Sequence, residues 1–107
     1  MHIALEKTFY ARKPDSTVDE LHMTVFEPVA QDVDFGAKIS LVRNQVETVF
    51  EQTMYGVDPW QATMLGIVTL RLRVSLFLKK SYTSLHYTRE CVEEGREITF
   101  DVLFPQV

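Results

Sequence analysis

Apolar and polar residues alternate along most of the first half of the chain, and then the period changes. Over residues 2–11, Ile3, Leu5 and Phe9 fall on one face, with Lys7 interrupting, as expected of a half-buried strand. Lys13-Pro14-Asp15-Ser16 reads as a turn, because the proline ring fixes φ and the Asp15 and Ser16 side chains can bond nearby backbone groups. Residues 20–26 alternate again, Leu21, Met23 and Val25 against His22, Thr24 and Phe26. Pro28 ends the run, since it has no amide to give a ladder. Residues 29–35, with Asp32 and Asp34, read as a loop. Two more strands are expected at 37–43 and 46–55, joined by a tight turn at Asn44-Gln45 that lacks the usual glycine. In the second, Val46, Thr48, Phe50, Gln52 and Met54 oppose a solvent-facing set that holds both Glu47 and Glu51.

After Tyr55 the spacing becomes helical. In Gly56-Val57-Asp58-Pro59-Trp60-Gln61-Ala62, Asp58 is placed to accept a bond from an early helical amide, and its charge suits the positive end of the helix. Pro59 at the first helical position gives up an amide that would be unpaired anyway. Val57 and Ala62 occupy the positions of a hydrophobic staple. Residues 60–80 then read as one helix, with a stripe of Met64, Leu65, Val68, Leu72 and Leu76 widened by Trp60, Ile67, Val74 and Phe77. So wide an apolar surface predicts burial on more than one side, with Arg71 and Arg73 at the rim. Lys79 and Lys80 suit the negative C-terminal end. Residues 88–94 read as a short helix capped by Thr88 and stopped by Gly95, and residues 97–104 (EITFDVLF) as a last strand. The sum is a single α+β domain over 1–107: a mainly antiparallel sheet of about four or five strands on one long helix, with a final strand after it.

Composition narrows the partners more than the chemistry. The 107 residues are 46% apolar, enough for one core, and carry a net charge of −4. That balance argues against nucleic acid, whose phosphates call for clustered Lys and Arg. The one cysteine, Cys91, leaves no internal disulfide to form. Residues 1–10 lack the basic start and apolar run of a secretory signal. Arg71 and Arg73 interrupt the one stretch, residues 60–78, apolar enough to suggest a membrane span. The expectation is a soluble cytoplasmic protein without a membrane partner.

Three patches, Ile3-Ala4-Leu5-Glu6-Lys7, the helix start Gly56-Val57-Asp58-Pro59-Trp60-Gln61-Ala62 and the tail Asp101-Val102-Leu103-Phe104-Pro105, resemble a family of small uncharacterised bacterial proteins. That family has a Gly-x-Asp-x-x-Gln-Ala helix start and an Asp-x-x-Phe-Pro tail. Thr63 and Gly66 depart from its leucine- and alanine-rich helix. The resemblance implies an α+β fold and, by analogy with other small bacterial proteins of this build, an immunity or interaction role; it implies no activity.

No catalytic or metal-binding constellation emerges. His2, His22 and His86, with Glu27, Asp32 or Cys91, lack ligand spacing. Cys91 has His86 and Arg89 nearby, but Glu90, Glu93 and Glu94 oppose a thiolate. The four scattered glycines make no phosphate loop, and capping accounts for Asp58 without any chemistry. Asp32/Asp34 and Glu93/Glu94 read as solvated carboxylates. Arg71, Arg73, Lys79 and Lys80, with Tyr82 and Tyr87, fall on different helix faces. The expectation is therefore a non-enzymatic interaction module, immunity-like or an adaptor, with no cofactor and with a protein partner or a homodimer. Phe26, Glu47, Glu51 and Trp60 are its candidate interface, and Asp58 and Pro59 are structural. The alternative is a small-ligand binder or enzyme with a pocket between sheet and helix, lined by Tyr55, Trp60 and Met64.

Overall fold

In the computed structural model, which describes residues 1–105, β1 (Ile3–Arg12) turns back into β2 (Val18–Phe26). A two-residue β3 (Val29–Ala30), β4 (Phe35–Arg43) and β5 (Glu47–Gly56) follow. The chain then enters α1 (Pro59–Ser81) and finishes with β6 (Ser84–His86), α2 (Arg89–Glu93) and α3 (Phe100–Leu103). All strand pairs are antiparallel. β1 lies between β6 and β2, β4 lies between β2 and β5, and β3 pairs the start of β4. The fold is α+β, an antiparallel sheet against one long helix with a strand after it. That strand is Ser84–His86, earlier than the sequence pattern placed it.

The alternation sets the two sheet faces. Phe9, Leu21, Met23, Val25, Ile39, Leu41 and Phe50 share the face that α1 covers and form the core with Leu70, Val74 and Leu78. The opposite face is polar: Thr8 Oγ1 lies 2.6 Å from His22 Nδ1, and Lys38 pairs with Glu51 at 3.2 Å. The β4–β5 turn has positive φ at both Asn44 and Gln45, 52° and 65°, as a two-residue hairpin loop requires. Asn44 manages without glycine because its side chain accepts from Glu20 N–H at 2.8 Å and donates to Asp19 at 3.0 Å.

Entry into α1 follows the expected chemistry with one change. Asp58 Oδ1 accepts from Gln61 N–H at 2.7 Å, Pro59 occupies the first turn, and Gln61 Oε1 reaches back to accept from Val57 N–H at 2.8 Å. Val57 itself is exposed while Ala62 is fully buried, so the Val57–Ala62 staple does not form. Gly56 closes the corner instead: a Cβ there would stand 2.4 Å from the Ala62 nitrogen. The close approach continues at Gly66, where a Cβ would stand 3.3 Å from Ile39 Cγ2.

Three other expectations change. Residues 29–35 include the short β3, so they are not all loop. The pairing of β4 with β5 runs Leu41↔Phe50 and then Val42↔Thr48, which leaves Val49 as a bulge. The extra residue reverses the alternation, so Glu47 and Glu51 fall on opposite faces rather than sharing the solvent side. Finally, residues 97–104 are not a strand. Ile98 makes a single bridge to Leu85, and Phe100–Leu103 is a helical turn. Phe100, Leu103 and Phe104 fit a helical spacing as well as an alternating one, and the helical turn stacks Phe100 on Phe104 at 5.1 Å between centroids. The short helix after β6 forms as expected, with Thr88 accepting from Cys91 N–H and Gly95 at φ +70° just beyond it.

Candidate interaction surface on helix α1

α1 carries two apolar rows, and only one of them is buried. Ala62, Gly66, Leu70, Val74 and Leu78, four residues apart, are the buried positions of the helix. Two residues along a helix correspond to about 200° of rotation, so the row Trp60, Met64, Val68, Leu72 and Leu76 points the other way. Those five, with Leu65, are between 38% and 75% exposed. The expected burial on more than one side is thus corrected: the helix is buried on one side, and the stripe expected in the core faces out. The small residues decide this. Ala62 lets the helix backbone come close to Gly56 at the end of β5, and Gly66 lets it come close to Ile39 on β4, whereas Trp60 and Met64 in their place would hold it away.

The sequence-derived interface residues are scattered by the fold. Trp60 stands on the outer side of α1 and is 75% exposed. Phe26 and Glu51 lie across the molecule on the polar sheet face, where the Lys38 ammonium is 5.1 Å from the Phe26 ring centroid and 3.2 Å from Glu51. Glu47 is at the start of β5, held at 2.6 Å by Arg43. Both glutamates are thus engaged within the chain, and Trp60 alone of the four belongs to the exposed row. Sequence reasoning missed Met64, Leu65, Val68, Leu72 and Leu76 as surface residues by assigning them to the core. The available signal was the pair of small residues, Ala62 and Gly66, at the start of the parallel row two positions away.

A second feature unforeseen in the sequence is a polar cluster beneath the C-terminal end of α1. Asp19 is 6% exposed. Tyr82 Oη donates to Asp19 Oδ2 at 2.6 Å, Asn44 Nδ2 donates to Oδ1 at 3.0 Å, and Lys13 Nζ stands 3.4 Å away. Burial alone would raise the Asp19 carboxyl, but the bonds from Tyr82, Asn44 and Lys13 outweigh it and hold the group below its ordinary value. Burial, then the bond to Asp19, pushes the Tyr82 hydroxyl up to about 12. Arg43, held by Glu47 and Tyr82, is raised as well. The cluster ties the end of α1 to β2 and the β4–β5 turn.

His86 and Cys91 lie outside this cluster. His86 is buried, with Nδ1 2.7 Å from the Arg96 carbonyl and Nε2 3.1 Å from Ser84 Oγ. Hydrogen bonding with Thr88 lowers the Cys91 thiol, and Arg96 assists. Among the described residues no three His, Cys, Asp or Glu side chains gather to hold a metal ion. Arg73 lies over the Phe50 ring at 4.4 Å and donates to Gln52, while Lys79 and Lys80 sit in the last helical turn. α1 is long and apolar enough to cross a membrane by length and composition, and its sheet-facing row accounts for part of that composition. Comparison of the chain with protein-family models, with curated proteins and with solved structures finds no match.

Proposed function

We propose that this chain is a non-enzymatic protein-interaction module, of the adaptor or immunity-like kind, whose docking surface is the outer face of α1 and whose occupant there is a second copy of the chain. The observation that supports it is the exposed row Trp60, Met64, Val68, Leu72 and Leu76. A contiguous apolar strip along a helix of 23 residues, about 34 Å, is what interaction sites present and monomers rarely leave open.

The row is symmetric about Val68, and this favours a second copy over another protein. In an antiparallel pairing two Val68 side chains meet on a two-fold axis, Met64 faces Leu72, and Trp60 faces Leu76. The same pairing sets the Asp58 end of one helix beside Lys79 and Lys80 of the other and opposes the two helix dipoles. The depression between Trp60, Gln61, Met64 and Leu65 lies where Leu72 and Leu76 of the second copy arrive.

Magnitudes agree with a modest dimer. A half-exposed aliphatic side chain gains about 1 kcal/mol on burial, and three-quarters of a tryptophan about 3–4 kcal/mol. Two copies together gain roughly 15 kcal/mol, against an association cost of about 4–15 kcal/mol. With an association cost of about 7 kcal/mol, in the lower part of that range, the surplus is about 8 kcal/mol, a dissociation constant of roughly micromolar order.

Sedimentation velocity tests the proposal. The protein sediments at twice its 12.4 kDa chain mass in the micromolar range, and Val68→Glu sediments as a monomer with an unchanged far-ultraviolet circular dichroism spectrum. A chain that stays monomeric throughout, or a dimer indifferent to Val68→Glu, overturns it. A monomer that binds phospholipid vesicles through Val68 overturns it too and gives the face to lipid.

A further inference from the structure

The sheet has an unfinished edge. β6 pairs β1 only from Tyr10 to Arg12, so the first half of β1 has a strand, β2, on one side only. The Arg12 carbonyl accepts from Thr83 N–H at 2.8 Å on the β6 side. A strand turns the main-chain groups of every second residue to the same edge, and the β1–β2 register runs unbroken from Leu5 to Arg12. The N–H and C=O groups of Glu6 and Thr8 therefore project from the open edge, and among the described residues no strand meets them there.

Side chains mark the same place. α1 lies over β4 and β5, toward the far side of the sheet, and leaves the start of β1 bare. Leu5 is 57% exposed there, beside buried Val25. A half-open groove of about 310 Å³ lies alongside, with Leu5, Val25, Leu70, Leu103 and Phe104 in its lining. Natural sheet edges are guarded by charges and bulges. β5, at the other edge, carries Glu47, Glu51 and the bulge at Val49. The bulge of β1, between Ile3 and Leu5, lies outside the segment from Glu6 to Thr8. Lys7 is the charge placed to guard that segment, and its ammonium is taken up by the Tyr87 ring, 3.5 Å from the centroid.

We infer that this edge takes up an extended segment of another protein as an added antiparallel strand, with apolar side chains at alternate positions and a basic residue opposite Glu6. The free donors and acceptors of Glu6 and Thr8 call for another main chain, and an antiparallel strand continues the line of β6. The period of two then sends the residues opposite Leu5 and Lys7 toward the groove. The residue between them goes to the polar face, where the Glu6 carboxylate is half exposed, 3.7 Å from His22 Nε2, and open to a cation across the strands. A second copy of β1 fits less well. Pairing centred on Glu6 or on Lys7 sets like charges opposite each other, and the bulge between Ile3 and Leu5 interrupts a register centred nearer the start. The segment is thus a second kind of partner, beyond the pairing proposed for α1.

The probe is the acetylated, amidated peptide Thr-Val-Lys-Val-Thr, followed by backbone-amide nuclear magnetic resonance of the full chain. Its lysine faces Glu6 and its two valines face the groove. The peptide shifts the Glu6 and Thr8 amide signals saturably and slows their hydrogen exchange. Methylating the lysine's backbone nitrogen, which faces β1, weakens binding about tenfold or more, whereas methylating a valine's backbone nitrogen, which faces away, leaves it unchanged. Glu6→Lys, at an exposed position, reverses the preference to Thr-Val-Glu-Val-Thr. Glu6 and Thr8 amides that do not respond, equal binding of the two methylated peptides, or a charge preference that survives Glu6→Lys overturns the inference. Glu6 and Thr8 signals that move with protein concentration alone, in the Val68→Glu variant without peptide, give the edge to a second copy and overturn it too.

Discussion

Replacing Tyr82 by phenylalanine removes one oxygen from the cluster that fastens α1 to the sheet. That oxygen donates to Asp19 at 2.6 Å and accepts from Arg43 Nη1 at 3.3 Å. Arg43 keeps its paired bonds to Glu47, so the loss falls on Asp19. A hydrogen bond to a charged group contributes about 1.5–3 kcal/mol. Asn44 and Lys13 still reach the carboxylate, which puts the expected destabilisation near the middle, about 2 kcal/mol. With a urea dependence of about 1–2 kcal/mol per molar for a small domain, the unfolding midpoint falls by roughly 1–2 M. Far-ultraviolet circular dichroism is the suitable probe, because Trp60 is already exposed in the folded chain and reports little. The Val68→Glu background keeps association out of the measured free energy. The effect of pH has a definite sign. Asp19 is depressed in the fold, so its contribution is present above its unfolded value of about 3.9 and is lost as pH falls through the lower folded value. The difference between the two proteins is therefore full at neutral pH and narrows below about pH 4. At the alkaline end Tyr82 is raised, so its contribution is intact below about pH 10 and is lost as pH climbs toward about 12, a decline that Tyr82→Phe lacks. A destabilisation under about 0.5 kcal/mol, or a difference that stays constant from neutral to acid pH, refutes this account of the cluster.

Other substitutions test the helix seat. Gly56→Ala forces a Cβ to within 2.4 Å of the Ala62 nitrogen, a backbone atom that cannot swing aside, and chemical denaturation is expected to show a loss of about 1–3 kcal/mol. Leu70→Ala and Leu72→Ala, two residues apart in the same helix, separate the two rows. Leu70, 3% exposed, costs about 2–5 kcal/mol, whereas Leu72, 61% exposed, costs under about 0.5 kcal/mol in the monomeric background. Equal losses at the two positions contradict the orientation of α1.

Alternation and capping chemistry carried most of the fold. β1, β2, β4 and β5 lie where the period of two put them, and Asp58-Pro59 starts the helix through the bonds those residue types make. What could not be read has identifiable physical causes. A bulge at Val49 shifts a strand by one residue without altering its composition, and so moved Glu47 to the other face. The run from Ile98 to Phe104 is apolar enough for either period, and packing of Phe100 and Phe104 on the core cluster chose the turn. On α1, periodicity finds apolar faces but does not rank them. The ranking came from backbone approach, where Ala62 and Gly66 outweighed the larger Met64 and Val68. The polar cluster at Asp19 was invisible for a different reason: Asp19 and Tyr82 are 63 residues apart and meet only through the fold. Trp60 was legible as an exposed residue because a large aromatic in a first helical turn has little core to enter.

The central claim is that two copies meet along the outer face of α1 with Val68 on the axis. Disulfide cross-linking tests it at single-residue resolution, in a Cys91→Ser background that removes the native thiol. Packed helices lie about 8–10 Å apart axis to axis, so facing Cα atoms at the crossing come within about 4–6 Å, close enough for a disulfide. Two copies of residue 60 in the antiparallel pair are about 24 Å apart along the helix, far too distant. Under mild oxidation Val68→Cys is expected to form a covalent dimer rapidly and Trp60→Cys to remain a monomer. Efficient cross-linking through position 60, or none through position 68, contradicts the claim.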